Sequence, residues 1–460
     1  MFSSRFLLLA FRLGLFQACL GALAVLTLGI FNRLLIEEFQ VPAALAALAL
    51  GAQQMVAFTR VWFGQRSDHV RPGGLRRTPY ILWGALAFCT LFWVAGRTVL
   101  WLAAASQAGD AAAVLQRGLW LTLVFLLYGV AISASSTPFA ALLVDVSTPR
   151  QRPQLVSIVW SMLTVGIVAG AILTSTFLGT ACESADLNQV MASVERLIVI
   201  APLIIMGLVL LGIVGIERRW SGQSNLEGTV APKELGFFKS LSVLRADPQV
   251  AYFFGVLCLY TFSLFLQEAV LEPYGGAIFG MSVCETTNLN ATWGIGLLVG
   301  VGSTGFLLVP RLGAQRTALI GGIIAALFIV LMVLAAPLES LLLFKLSLGM
   351  FGYGAGISTN ASLTLMLGLT SPQMAGTFIG VWGLAQAYSR GGATILGGSL
   401  LSIFGQFWGG QNTFGAYASV FLIQAFGLVI AGLLLMRVNT SLFHQRIHQA
   451  LGDLVIEELE

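Results

Sequence analysis

Gly64-Gln65-Arg66-Ser67-Asp68-His69-Val70-Arg71-Pro72-Gly73-Gly74-Leu75-Arg76-Arg77 forms a polar island between two apolar runs, 42 to 64 and 79 to 104. Each run has the length, about 20 residues, needed to cross a hydrocarbon layer roughly 30 Å thick. Pro72, Gly73 and Gly74 stop a helix, and the surrounding arginines hold the segment in water. The same alternation continues in both directions and predicts an all-α membrane protein with twelve transmembrane helices. The expected spans are 12–38, 42–64, 79–104, 118–144, 154–179, 194–216, 249–272, 289–310, 317–335, 338–367, 373–404 and 414–437. Composition agrees, because 57% hydrophobic and 10% charged residues, with mean hydropathy +0.89, leave too little polar side chain to cover a surface in water. The N-terminal Met1-Phe2-Ser3-Ser4-Arg5 runs straight into the first span without a small-residue cleavage site, and is expected to be retained.

The net charge is +4, and its placement carries the information. Of the 24 lysines and arginines, only Arg97, Arg117, Arg196 and Lys345 fall on the side opposite the island, while Arg33, Arg60 and Arg390 fall within spans. The positive-inside rule therefore puts both termini in the cytoplasm. A bias this directional reports topology and gives no support to nucleic-acid binding.

The longest polar stretch, 217–248, divides the chain into a six-helix bundle over 1–216 and a second over 249–437, followed by an amphipathic cytoplasmic tail over 438–460. The halves echo each other. Ser147-Thr148-Pro149 followed by Val159-Trp160 matches Thr370-Ser371-Pro372 followed by Val381-Trp382, and the end of span 1 aligns with the end of span 7. Parallel six-helix repeats are a transporter architecture with the ligand site between the halves. The island itself resembles the loop signature of the major facilitator superfamily, although its spacing to Arg76 and Arg77 is longer than usual. That resemblance implies a major facilitator fold of two six-helix pseudo-repeats, with Gly64, Asp68, Arg76, Arg77 and Asp145 forming a cytoplasmic gate.

A narrower resemblance comes from Phe11-Arg12-Leu13-Gly14-Leu15-Phe16-Gln17, Arg60-Val61-Trp62-Phe63-Gly64-Gln65, Leu271-Glu272-Pro273-Tyr274-Gly275-Gly276 and Gly380-Val381-Trp382-Gly383. These runs are similar to the bacteriochlorophyll delivery family, of PucC and LhaA type, and the likeness extends over essentially all the spans. It implies a protein of the thylakoid or plasma membrane of a phototrophic bacterium that supplies chlorophyll or bacteriochlorophyll to antenna apoproteins. Its implied partners are a chlorophyll-type pigment held transiently and not covalently, light-harvesting or photosystem apoproteins, pigment-synthesis enzymes and membrane lipid.

Ionisable residues inside spans are costly and mark functional sites. Arg33 and Glu37 lie one helical turn apart near the outer end of span 1, and Glu268 and Glu272 lie at the same depth in span 7. Arg33 is expected to pair with Glu268 or Glu272 across the outer opening of a central cavity, as a gate, a pigment-headgroup site or a purely structural pair. Arg390, near the middle of span 11 and preceded by Gln386, needs a carboxylate, carbonyl or water and is the strongest single ligand-contact candidate. Tyr274 and Asn360 complete the expected cavity set. The three histidines, His69, His444 and His448, are all outside the spans. A bound pigment's magnesium would therefore take an oxygen ligand, such as Glu37, Glu268, Asn360, Gln386, a backbone carbonyl or water.

Cys182 and Cys284 sit in similar strings at the outer ends of spans 5 and 8, and a disulfide between them is expected to restrict opening. The sequence carries no Walker loop, nucleophile elbow, Cys-x-x-Cys pair or membrane histidine cluster, so no enzymatic activity and no metal site is expected. The leading expectation is pigment handling in antenna assembly. The alternatives are proton-coupled transport of a small solute, with Glu37 or Glu268 as proton carrier, and a pigment-free assembly scaffold.

Overall fold

The computed structural model describes residues 4–31, 34–35, 39, 41–183, 187–220, 248–281, 283–369, 375–408 and 413–438. The linker from 221, the tail from 439 and both Arg33 and Glu37 lie outside these described residues.

Helices account for almost all of it. In chain order they are α1 (Ser4–Ala24), α2 (Ala43–Met55), α3 (Thr59–His69), α4 (Thr78–Gln107), α5 (Ala111–Asp145), α6 (Arg152–Glu183), α7 (Leu187–Ile213) and α8 (Ile216–Trp220). Then follow α9 (Pro248–Phe265), α10 (Leu271–Phe279), α11 (Val283–Ser303), α12 (Val309–Leu312), α13 (Ala314–Leu334), α14 (Leu341–Leu369), α15 (Ala375–Phe407) and α16 (Thr413–Met436). Among the described residues, ten helices are long and apolar enough to cross a membrane. The expected spans 42–64 and 373–404 fall on α2 with α3 and on α15. Large apolar side chains such as Trp83, Leu203 and Ile395 are each about 70% exposed, a surface that only lipid tolerates. The chain is an integral membrane protein.

Two ends differ from the sequence expectation. The first helix begins at Ser4, not near residue 12. Arg12 is thereby carried into the helix and donates from Nε to Leu211 O (3.0 Å) and from Nη2 to Val214 O (2.6 Å). Leu211 lies in the last turn of α7 and Val214 just past it, where a helix leaves carbonyls without intrahelical amide partners. The expected linker starts later than 217, because α8 continues the chain as helix and buries Glu217.

Residues cluster into two compact units. The first comprises 1–147, 158–234 and 372–381, and the second comprises 148–157, 235–371 and 382–460. Within the first unit α1 packs on α7, α2 on α5, and α4 on both α5 and α7. Within the second, α9 packs on α16, α11 on α14, and α13 on both α14 and α16. The two pairing schemes are the same when the membrane passes of each unit are counted in order, which is the six-helix pseudo-repeat expected from the echoes.

Lipid supplies no hydrophobic drive between apolar helices, so close packing must hold them. On α11, a Cβ at Gly296 would strike Gly349 O and one at Gly300 would strike Tyr353 O. The contact is reciprocal, since Cβ atoms at Gly352 and Gly356 of α14 would strike Trp293 O and Leu297 O. Gly300→Val is therefore expected to cost about 2 kcal/mol or more by overpacking, whereas Gly294→Ala, which faces open space, should be neutral or slightly stabilising. Thermal unfolding of the two variants in detergent distinguishes them, and equal melting temperatures would contradict the packing argument.

Candidate functional site

The island of the sequence becomes an enclosed charge cluster in the first unit. Asp68 lies in the last turn of α3, Arg77 caps the start of α4, and Asp145 ends α5. Arg77 is fully buried and bonds to both carboxylates, Nη2 to Asp68 Oδ1 at 2.7 Å and Nε to Asp145 Oδ2 at 2.9 Å. Its Nη1 donates to Ser67 Oγ (2.7 Å), and that hydroxyl donates in turn to the carbonyl of buried Gly64 (2.9 Å). Arg76 reaches Asp68 Oδ1 at 3.2 Å from the rim. All five expected gate residues are thus found together.

Burial alone would lower the Arg77 pKa, but the charges of Asp145 and Asp68 and their hydrogen bonds outweigh it, and the net shift is upward. Arg76 goes down instead, through burial first and repulsion by Arg77 second. Both guanidiniums stay charged at any physiological pH.

Sequence reasoning missed Glu217. Its carboxylate accepts from three consecutive backbone amides at the start of α4: Arg76 N, Arg77 N (3.1 Å) and Thr78 N (2.7 Å). A helix N-terminus leaves amides unpartnered and carries partial positive charge, so an acid there caps it twice over. The available signal was a single acid, Glu217, set against Arg218 and Arg219 just past a span.

In the second unit the chain breaks helix at Leu266–Ala269, a 3-10 turn between α9 and α10. α15 approaches this turn closely, since a Cβ at Gly397 would strike Leu266 O. Arg390, Thr394 and Gly397 follow the i, i+4, i+7 spacing of one helical face, so the approach that needs Gly397 also delivers Arg390 and Thr394 to Glu268. Arg390 bonds in two places to Glu268, Nε to Oε2 at 3.1 Å and Nη2 to Oε1, while Thr394 Oγ1 donates to Oε2 at 3.0 Å. The guanidinium also lies 4.5 Å from the Phe265 ring centroid. Unlike the Arg77 cluster, this one is open: the Arg390 and Glu268 side chains are 48% and 35% exposed.

The remaining expected residues are dispersed. Glu272 is exposed and accepts from Asn290 Nδ2 (2.6 Å), and Gln386 is half-buried. Tyr274 is a core side chain, not a cavity wall, ringed by Phe279, Phe344, Tyr417 and Phe421 with its hydroxyl on Met332 O at 3.3 Å. Asn360 is likewise fully buried and donates to Ser157 Oγ (2.6 Å) and Val301 O (3.3 Å). Both are buried inside the unit, although Asn360 Oδ1 has no hydrogen-bond partner among the described residues. The Arg33 pairing lies outside the described residues, as do the side chains of Cys182 and Cys284.

Removing Arg77 leaves two buried carboxylates facing each other, so Arg77→Gln is expected to cost about 3–5 kcal/mol, and Glu217→Gln about 1–3 kcal/mol through lost amide acceptors. Arg97, paired with Glu195 on an exposed face, serves as the control, because Arg97→Gln should leave the melting temperature unchanged. Thermal unfolding of the three variants checks the ranking.

Residues 30–443 match the PUCC protein family. The chain is 29% identical over 431 residues to a Rhodobacter capsulatus protein named bacteriochlorophyll synthase 44.5 kDa chain, covering 92% of this chain and 94% of that one. Among solved structures it is similar to a bacterial homologue of the iron transporter ferroportin in an outward-facing state, with a TM-score of 0.72 at 14% identity over 94% of this chain and 98% of that one. The proton:xylose symporter XylE of the major facilitator superfamily gives a TM-score of 0.65 at 14% identity, covering 95% and 96% of the two chains. At such identities the structural likeness establishes the major facilitator fold alone. The sequence match, extending over nearly the whole chain, establishes the rest: this protein belongs to the PUCC family.

Proposed function

We propose that this protein handles chlorophyll or bacteriochlorophyll within the membrane and assists assembly of light-harvesting or photosystem antenna complexes, without catalysing a reaction. Family membership and the bacteriochlorophyll name of its relative support the pigment. The observation that carries the reading is the open pair of Arg390 and Glu268 beside Phe265 and Thr394.

An exposed ion pair inside a membrane-spanning segment is not stable against lipid, so its open side calls for a partner with polar edges. A chlorophyll-type pigment has an apolar macrocycle with carbonyl and ester oxygens on its rim. Arg390 offers those oxygens a donor, the Phe265 ring offers an apolar face, and Glu268 or Gln386 offers an oxygen donor to a central magnesium. Such oxygen ligation is exchangeable, which suits a carried cargo. The relative's synthase name describes that protein; the sequence here offers none of the motifs for nucleotide hydrolysis, acyl transfer or thiol chemistry. Antenna apoproteins and pigment-synthesis enzymes are the proposed partners on either side of the hand-over.

Glu268 also supports a second reading, proton-coupled transport of a small solute, because a membrane carboxylate held by a cation is a usable proton site. An absorption spectrum of the full chain, purified from a phototrophic host, tests the two. Co-purifying pigment, with occupancy reduced about tenfold or more in Arg390→Gln, is the expected result. A colourless protein with pH-dependent solute uptake abolished by Glu268→Gln would replace pigment handling by transport.

A further inference from the structure

At the arginine-rich end of the second unit lies a cavity of about 490 Å³ that is separate from the Arg390 cluster. It is lined by the first turn of α13 (Gly313, Ala314, Gln315 and Arg316), by Arg152 at the start of α6 and by Thr364 near the end of α14. No acidic residue is among its described lining.

Four features converge on this space. First, α13 opens without a side-chain cap: Gly313 stands at its N-cap with φ 77° and has no side chain to offer. The first backbone bond across the turn is made by Thr317 N to Gly313 O (3.1 Å), so the amides of Ala314, Gln315 and Arg316 precede the helical ladder. Second, Arg152 is 8% exposed and fixed by a bond from Nη1 to Leu367 O (3.0 Å), so a buried guanidinium is held in place at the wall. Third, Arg316 is exposed and makes no hydrogen bond or ion pair among the described residues.

The fourth feature is Thr364, only 7% exposed, whose Oγ1 has no partner among the described residues. Threonines well inside other helices, such as Thr27 on Leu23, Thr98 on Val94, Thr122 on Gly118 and Thr304 on Gly300, satisfy the hydroxyl on the carbonyl four residues back. Thr364 does not use that route, and a buried hydroxyl without a partner costs about 1–3 kcal/mol. A ligand oxygen in the cavity would recover it.

We infer that this cavity binds a phosphate group. Helix-start amides, two guanidiniums and a hydroxyl together match an anion with several acceptor oxygens arranged in three dimensions. A planar carboxylate uses fewer of these donors at once. The volume exceeds that of the free ion, so the phosphate is either inorganic or the headgroup of a membrane lipid, and both present the same oxygens. The site is independent of the pigment reading and survives its failure.

The test uses the full chain in dodecyl maltoside, which carries no phosphate, with the melting temperature followed against inorganic phosphate and, separately, against phosphatidic acid with diacylglycerol as its control. A ligand that binds the folded state raises the melting temperature by mass action. Arg316→Gln and Thr364→Val are the variants, neither of which removes a side-chain bond made among the described residues. The expected result is a phosphate-dependent rise in the wild type, with apparent affinity weakened about tenfold or more in each variant. Without ligand, Thr364→Val should melt at or above the wild-type temperature. A response to inorganic phosphate assigns the free ion, and a response to phosphatidic acid alone assigns the lipid headgroup. No response to either, or equal responses in wild type and both variants, overturns the site.

Discussion

Hydrocarbon accepts no hydrogen bonds, and several helix irregularities among the described residues are arranged around that constraint. Where the backbone departs from regular helix, a side chain arrives to take up what was freed. α11 passes into a π-helical turn at Thr304–Leu308, a departure that loosens the carbonyls just before it. Val301 O there accepts from Ser157 Oγ at 2.9 Å and from Asn360 Nδ2 at 3.3 Å. α7 ends on Arg12, α4 begins on Glu217, and the 3-10 turn at Leu266–Ala269 carries Glu268. Polar residues are rare in this chain, and most of those within the described bundle have such a backbone or ionic duty.

The same constraint explains why the fold was legible and parts of the site were not. Span length and the arginine bias are properties of single segments, so the polar island and its flanks identified the membrane class directly, while the loop resemblance singled out Gly64, Asp68, Arg76, Arg77 and Asp145, which the structure brings together. The pseudo-repeat was visible in short echoes because corresponding helices meet corresponding neighbours. Glu217 was not visible, since its role depends on α8 returning to the start of α4, some 140 residues away in sequence. The partner of Arg390 was hidden in the same manner: the sequence shows that the cation needs a carboxylate, carbonyl or water, but Glu268 is selected by the close approach at Gly397. Tyr274 and Asn360 show how burial qualifies such a reading. A polar residue in a span reads as a ligand contact until the structure reveals the rings or carbonyls that occupy it.

Burial sorts the charges into two classes with different physical consequences. Arg77, Asp68, Asp145 and Glu217 are enclosed within one unit, and removing Arg77 strands the two aspartates. Such a cluster fixes geometry and has little left to offer a ligand. Arg390 and Glu268 are paired but open, which leaves donor and acceptor capacity on the exposed side. Under the proposed function a cargo would compete for that capacity without having to break the fold, and this difference in exposure, more than the mere presence of charge within a span, is what distinguishes the two clusters.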